Sequence, residues 1–314
     1  MSLRTTAENR FDTFKLYTTS YKKIGDHEIE VNVLVPKDIK PGKRPIMIKW
    51  HGGGLQTAGT AVYPPWFAGY LVPFLHRNNA IAILPNYRLA PEHTGDEILS
   101  DVADLGAWLT DSLPAYLASK EPAISPDLSK ILVSGESAGG WVALQSVLSL
   151  SEGTFKACLL QYPVLNAFPT YPDDIIMGDP IPPKEVLDEF LTGIVPGTII
   201  SAARPPLRNA VAPMLRAHGR WGEFFGTGKH LMPDTRIEDA QFWVPTYILH
   251  GRDDTNVAVE WSEKFVGRAR SLFPETKIEL ATPPGEHGFD GDLYEEDAGW
   301  LADLLKGVEG EWLA

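Results

Sequence analysis

The chain has one cysteine in 314 residues, no long apolar run and no excess of positive charge. Each shortage removes a class of protein. A single thiol, Cys158, closes no intramolecular disulfide and builds no thiolate zinc site, and its neighbours Ala157, Leu159 and Leu160 read as a buried, inert setting. No stretch reaches the ~20 apolar residues that span a bilayer, and residues 1–10 carry no signal-peptide core. With 28 Lys and Arg against 41 Asp and Glu, the formal charge of −13 repels phosphate backbones and anionic lipid. No asparagine is followed at the second position by Ser or Thr. The expectation is a cytoplasmic protein with a small-molecule partner, neither nucleic acid nor membrane, and no pattern sets an oligomeric state.

Present instead is 44% hydrophobic content, enough for a large core. Short aliphatic runs alternate with helix-period segments, which predicts an α/β fold with a mostly parallel sheet covered by helices. Residues 13–22 and 28–35 alternate polar with apolar about Gly25-Asp26 and predict an opening antiparallel hairpin. Runs at 45–50, 80–84, 130–134, 158–162, 246–250 and 277–280 are mostly apolar on both faces, as interior strands require. Amphipathic helices are predicted over 96–113, stopped by Pro114, and over 257–273 and 291–305. From Pro163 to Pro213, 10 of the 26 prolines interrupt this alternation. We therefore expect one domain over 1–314 with an insertion at about 165–240, carrying a short helix at 183–191 and an aromatic tip of Trp221, Phe224 and Phe225.

Two motifs suggest chemistry. Gly135-Glu136-Ser137-Ala138-Gly139 lies between a strand and a helix-forming run, where small flanking residues let a strained serine stand free above a sheet. The amide of Ala138, at the helix start, points to a place where an oxyanion develops. His51-Gly52-Gly53-Gly54 follows another strand, and three glycines in a row suit peptide N–H groups left bare for an oxyanion; the Lys-Ser/Thr of a nucleotide loop is missing. A serine nucleophile needs an imidazole base and a carboxylate to orient it. Of the eight histidines, His287 sits in a small-residue loop late in the chain, Pro283 to Phe289. The acid is one of the pair Asp253-Asp254 after Gly251, with Asp254 preferred and the other aspartate left as a helix cap or a solvated charge. The order Ser137, Asp254, His287 is that of α/β-hydrolases.

With these residues assembled, the chain resembles the α/β-hydrolase superfamily and looks like the hormone-sensitive-lipase-like esterases. The likeness is carried by His51-Gly52-Gly53-Gly54, by Tyr87-Arg88-Leu89-Ala90-Pro91-Glu92-His93 and by Gly135-Glu136-Ser137-Ala138-Gly139-Gly140. It implies an α/β-hydrolase fold and a serine carboxylic ester hydrolase acting through an acyl-enzyme without metal or organic cofactor. It also implies oxyanion amides from Gly53, Gly54 and Ala138, and an insertion that forms a cap. The family usually has Asp where this chain has Glu136, and Asp-Pro-Leu where it has Asp254-Thr255-Asn256. Arg88 and Glu92 are expected to form a buried structural pair. Trp66, Phe67, Trp221, Phe224 and Phe225 are candidates for a pocket around a small to medium apolar ester, with ordinary packing as their other reading. An amide, formamide or lactone hydrolase with the same machinery, or a non-catalytic receptor on this scaffold, are the alternative functions.

Overall fold

The computed structural model describes residues 3–57, 62–165, 175–176, 179–206 and 208–314. Its strands are β1 (Phe14–Ile24), β2 (His27–Pro36), β3 (Gly42–Trp50), β4 (Ile81–Pro85), β5 (Ile124–Glu136), β6 (Ala157–Gln161), β7 (Thr246–Leu249) and β8 (Ile278–Ala281). They form one eight-stranded sheet in the order β1-β2-β4-β3-β5-β6-β7-β8. The hairpin β1/β2 is antiparallel, β2 meets β4 antiparallel, and all later neighbours are parallel. The helices are α1 (Leu71–Arg77), α2 (Gly95–Asp111), α3 (Leu113–Lys120), α4 (Ala138–Ser149), α5 (Lys184–Thr192), α6 (Val211–Ala217), α7 (Trp221–Phe225), α8 (Pro233–Arg236), α9 (Val259–Leu272) and α10 (Gly299–Trp312). A two-residue hairpin pairs Ile175–Ile176 with Asp179–Pro180.

The doubly apolar strands have a simple cause. In β3, Ile46 and Ile48 face one layer, shared with α2, α4 and α9, while Met47 between them faces the other, shared with α1 and α10. Both faces are buried, so alternation vanishes from the sequence. α2 begins at a capping box in which Thr94 Oγ1 accepts from Glu97 N and Glu97 accepts from Thr94 N at 2.8 Å. Among the described residues no helix is long and apolar enough to cross a membrane.

Two predicted boundaries move. Pro114 lies in the first turn of α3, a position that suits it because its missing N–H is not needed there. The helix predicted over 291–305 starts at Gly299. Gly291 O is instead taken by Gly69 N at 2.8 Å and by Arg10 at 3.2 Å, contacts from distant sequence that no periodicity reveals. The expected pair Arg88–Glu92 is also not made. Arg88 bonds Asp101, which is fully buried, at 3.0 Å and Glu97 at 3.1 Å, while Glu92 bonds Arg208 at 2.5 Å. The run 87–93 is thus tied to α2 on one side and to the segment before α6 on the other.

Candidate active site

The carboxyl ends of β3, β5, β6 and β7 meet at one rim, and each loop there delivers part of a site. β5 ends at Glu136, α4 begins at Ala138, and Ser137 alone makes the turn, with φ of 52°. The close approach needed for that turn explains its glycines. A methyl on Gly135 would fall on Gly139 O, and one on Gly139 would fall on Trp50 O and His51 O. Ser137 is 8% exposed and borders a cavity of about 530 Å³.

Beyond it stands His287. Its Nδ1 is 2.7 Å from Asp254 Oδ2 and its Nε2 is 2.9 Å from Ser137 Oγ. An ionised carboxylate only accepts, so Nδ1 carries the proton and Nε2 of the neutral ring accepts from the serine hydroxyl. Asp254 Oδ1 accepts from Asn256 N at 2.9 Å and Val257 N at 2.7 Å, which orients Oδ2 toward the ring. Burial pushes the Asp254 carboxyl up, yet the bonds from His250 and His287 prevail and hold it well below the usual carboxylate range.

The neighbouring aspartate has another job. Asp253 Oδ2 accepts from Gly285 N at 2.9 Å, which ties the acid-bearing loop to the histidine-bearing loop; the residue caps no helix and is exposed, so it is the solvated charge of the two expectations, with this bond added. Glu286 adds a second tie by accepting from Thr255 N at 2.7 Å and from the Thr255 hydroxyl.

On the glycine loop, Gly53 and Gly54 have φ of 94° and 64°, and both line the cavity beside Ser137. A side chain at either place would be strained by that backbone conformation and would meet Thr57 O at Gly53 or Ala212 Cβ at Gly54. Ala138, the first residue of α4, follows Ser137 directly.

Three further groups at the site are not among those the sequence reading singled out. His250, fully buried, lies 2.8 Å from Val257 O and 3.2 Å from Asp254 Oδ2 through Nε2, so that nitrogen is the donor to both. Tyr162 sets its ring edge-on to His287 at 4.5 Å and donates to Asp290 at 3.0 Å. Asp290, fully buried, also accepts from Gln161 at 2.5 Å and Tyr70 at 3.2 Å, and burial pushes its carboxyl up. The signal for His250 is its place four residues before Asp254; for Asp290, its place three after His287.

Of the aromatic residues expected at the pocket, Trp66 lines the cavity. The other four belong elsewhere. Phe67 is buried against Phe11, with its ring 5.7 Å from Lys49 Nζ. Phe225 packs on Trp141 of α4 at 5.2 Å and on Trp221 at 5.1 Å, and Phe224 lies under Arg220. The expected tip is therefore a seam that seats the segment on α4, because large apolar rings gain more from full burial than from a half-wet rim. Prolines and α6 supply the wall facing Ser137, through Pro180, Pro182, Ala212, Pro213 and Arg216. Part of the segment, at 166–174, 177–178 and 207, lies outside the described residues.

A serine on a strand-to-helix turn, bonded to a histidine that is bonded to an acid above a mostly parallel sheet, is the arrangement of serine hydrolases built on such sheets. The chain belongs to the alpha/beta hydrolase fold family, whose model matches residues 47–216. It is 29% identical over 327 residues to the probable carboxylesterase M8 of a Phoma species, covering 97% of this chain and 98% of that protein. Among solved structures, Thermogutta terrifontis esterase 2 phosphonylated by sarin superposes with a TM-score of 0.60 at 20% identity, over 94% of this chain and 92% of that one. A bacterial heroin esterase gives 0.63 at 20% identity, over 96% and 86%. At that identity the two structures establish the shared fold.

Proposed function

We propose that this carboxylic ester hydrolase works by acyl transfer to Ser137. His287 Nε2 takes the hydroxyl proton as the oxygen adds to the ester carbonyl. Asp254 keeps the ring in the required tautomer and stabilises the imidazolium. The amides of Gly53, Gly54 and Ala138 receive the oxyanion. His287 returns the proton to the leaving alcohol, and a water activated by the same nitrogen then releases the acid. Proton transfer and addition to a carbonyl complete the cycle, so the mechanism needs no cofactor. The observation that carries the reading is the unbroken chain from Ser137 Oγ to His287 to Asp254, at 2.9 and 2.7 Å.

The segment 165–240 acts as a cap, and the substrate is a small to medium ester with an apolar group. A cavity of about 530 Å³ walled by Trp66, Val164, Ile181 and Pro213 supports that size and chemistry. The lone buried Cys158 supports a cytoplasmic setting.

The test is intact-mass detection of a fluorophosphonate adduct, with Ser137→Ala as control, followed by matched ester, amide and lactone panels. One adduct per chain in the wild type, none in the variant, and turnover of p-nitrophenyl butyrate are expected. Equal labelling of the alanine variant rejects Ser137 as nucleophile, and stoichiometric binding without turnover of any ester favours the receptor reading.

A further inference from the structure

We propose that Glu136 is a positioning residue that fixes the oxyanion loop against the nucleophile, with Lys49 as its buried counter-ion. The inference rests on the oxyanion reading of the glycine loop given above. Glu136 Oε1 accepts from Gly52 N at 2.8 Å, and Oε2 takes the ammonium of Lys49. The two side chains are 5% and 4% exposed, so neither charge has bulk water to fall back on.

The placement makes this pair more than a core ion pair. Glu136 is joined by one peptide bond to Ser137, and Gly52 by one to Gly53, so a single carboxylate spans the two halves of the acyl-transfer site. Lys49 sits near the end of β3 and Glu136 at the end of β5, strands that pair with Trp50 opposite Gly135. The ion pair thus locks the two strand ends whose loops must meet. The approach is close: a methyl on Gly52 would lie 3.1 Å from Glu136 O and 3.2 Å from Ser137 Cβ. Oxyanion donors work within a narrow distance range, and a loop displaced by a fraction of an ångström stabilises the transition state less while binding the ground state as before. Loss of the Gly52 bond therefore belongs in kcat, not KM.

Removing Glu136 alone strands a buried ammonium, so the test replaces both charges. Lys49→Met/Glu136→Gln keeps an amide oxygen for Gly52 N, and Lys49→Met/Glu136→Leu removes it at similar volume. Both variants are assayed on p-nitrophenyl butyrate and for the rate of Ser137 phosphonylation, with thermal melts to check folding. The Gln variant is expected to rescue kcat to within about threefold of wild type, and the Leu variant to fall roughly 10²-fold below it with KM nearly unchanged. Phosphonylation should slow in parallel. Equal kcat in the two folded double variants overturns the proposal.

If the Leu variant does not fold, Glu136→Asp in the otherwise unchanged chain replaces it. That side chain keeps the charge beside Lys49 but withdraws it by one methylene, and full kcat there also overturns the proposal. Failure of the underlying reading looks different: wild type that neither labels at Ser137 nor hydrolyses esters removes the site itself, and this inference with it.

Discussion

Asp254 and Asp253 are adjacent in the chain and differ in what accepts their charge. Asp254 gathers two backbone N–H groups and two histidines, whereas exposed Asp253 accepts from the amide of Gly285. Asp254→Asn should lower kcat by about 10⁴-fold, because the amide no longer imposes the required imidazole tautomer. Asp253→Asn should cost less than about tenfold, since its amide oxygen still accepts from Gly285. Steady-state kinetics on one ester separates them. The depressed carboxyl of Asp254 also fixes a sign. Its bonds stabilise the fold above the unfolded carboxylate value of about 3.9, and that contribution disappears as pH falls through the lower folded value. Urea melts should therefore show the stability gap between wild type and Asp254→Asn narrowing below about pH 4.

At the scale of elements, the strand–turn–helix unit β5–α4 depends on what surrounds each glycine. Gly139 meets the backbone carbonyls of Trp50 and His51, which belong to another strand end and cannot swing away like a side-chain tip. Gly267, inside α9, has nothing within 4 Å of an added methyl. Gly139→Ala should destabilise by more than about 2 kcal/mol and lower activity with it. Gly267→Ala should instead stabilise by about 0.5–1 kcal/mol through loss of unfolded-chain entropy. Denaturant melts of the two variants check both signs.

Taken as a whole, the molecule carries a formal charge of −13. That field acts on any charged substrate before contact and weakens as added salt shortens the Debye length. For an anionic ester, kcat/KM should rise roughly threefold as salt increases from about 10 to 200 mM, while a neutral ester of equal size changes less than about twofold. Initial rates at low substrate concentration measure this. Identical salt dependence for the two esters would mean that the charge is too dispersed to be felt at the cavity mouth.

The sequence by itself determined the local features. Strands such as Ile46 to Trp50 were legible as doubly apolar runs, α2 from its spacing, and the turn at Ser137 from glycines that nothing else explains. It also narrowed the histidines to His287, because a small-residue loop after a strand leaves its mark in composition. Tertiary structure decided what each group touches. Arg88 finds Asp101 rather than Glu92, Phe225 finds Trp141 rather than the cavity, and the carbonyl of Gly291 finds Gly69 and Arg10 rather than a helical amide. Glu136 meets Gly52 and Lys49 only when separate strand ends come together. The physical reason is that periodicity and turn chemistry act over a few neighbouring residues, whereas partners are set by close packing of segments far apart in the chain, which one-dimensional pattern does not record.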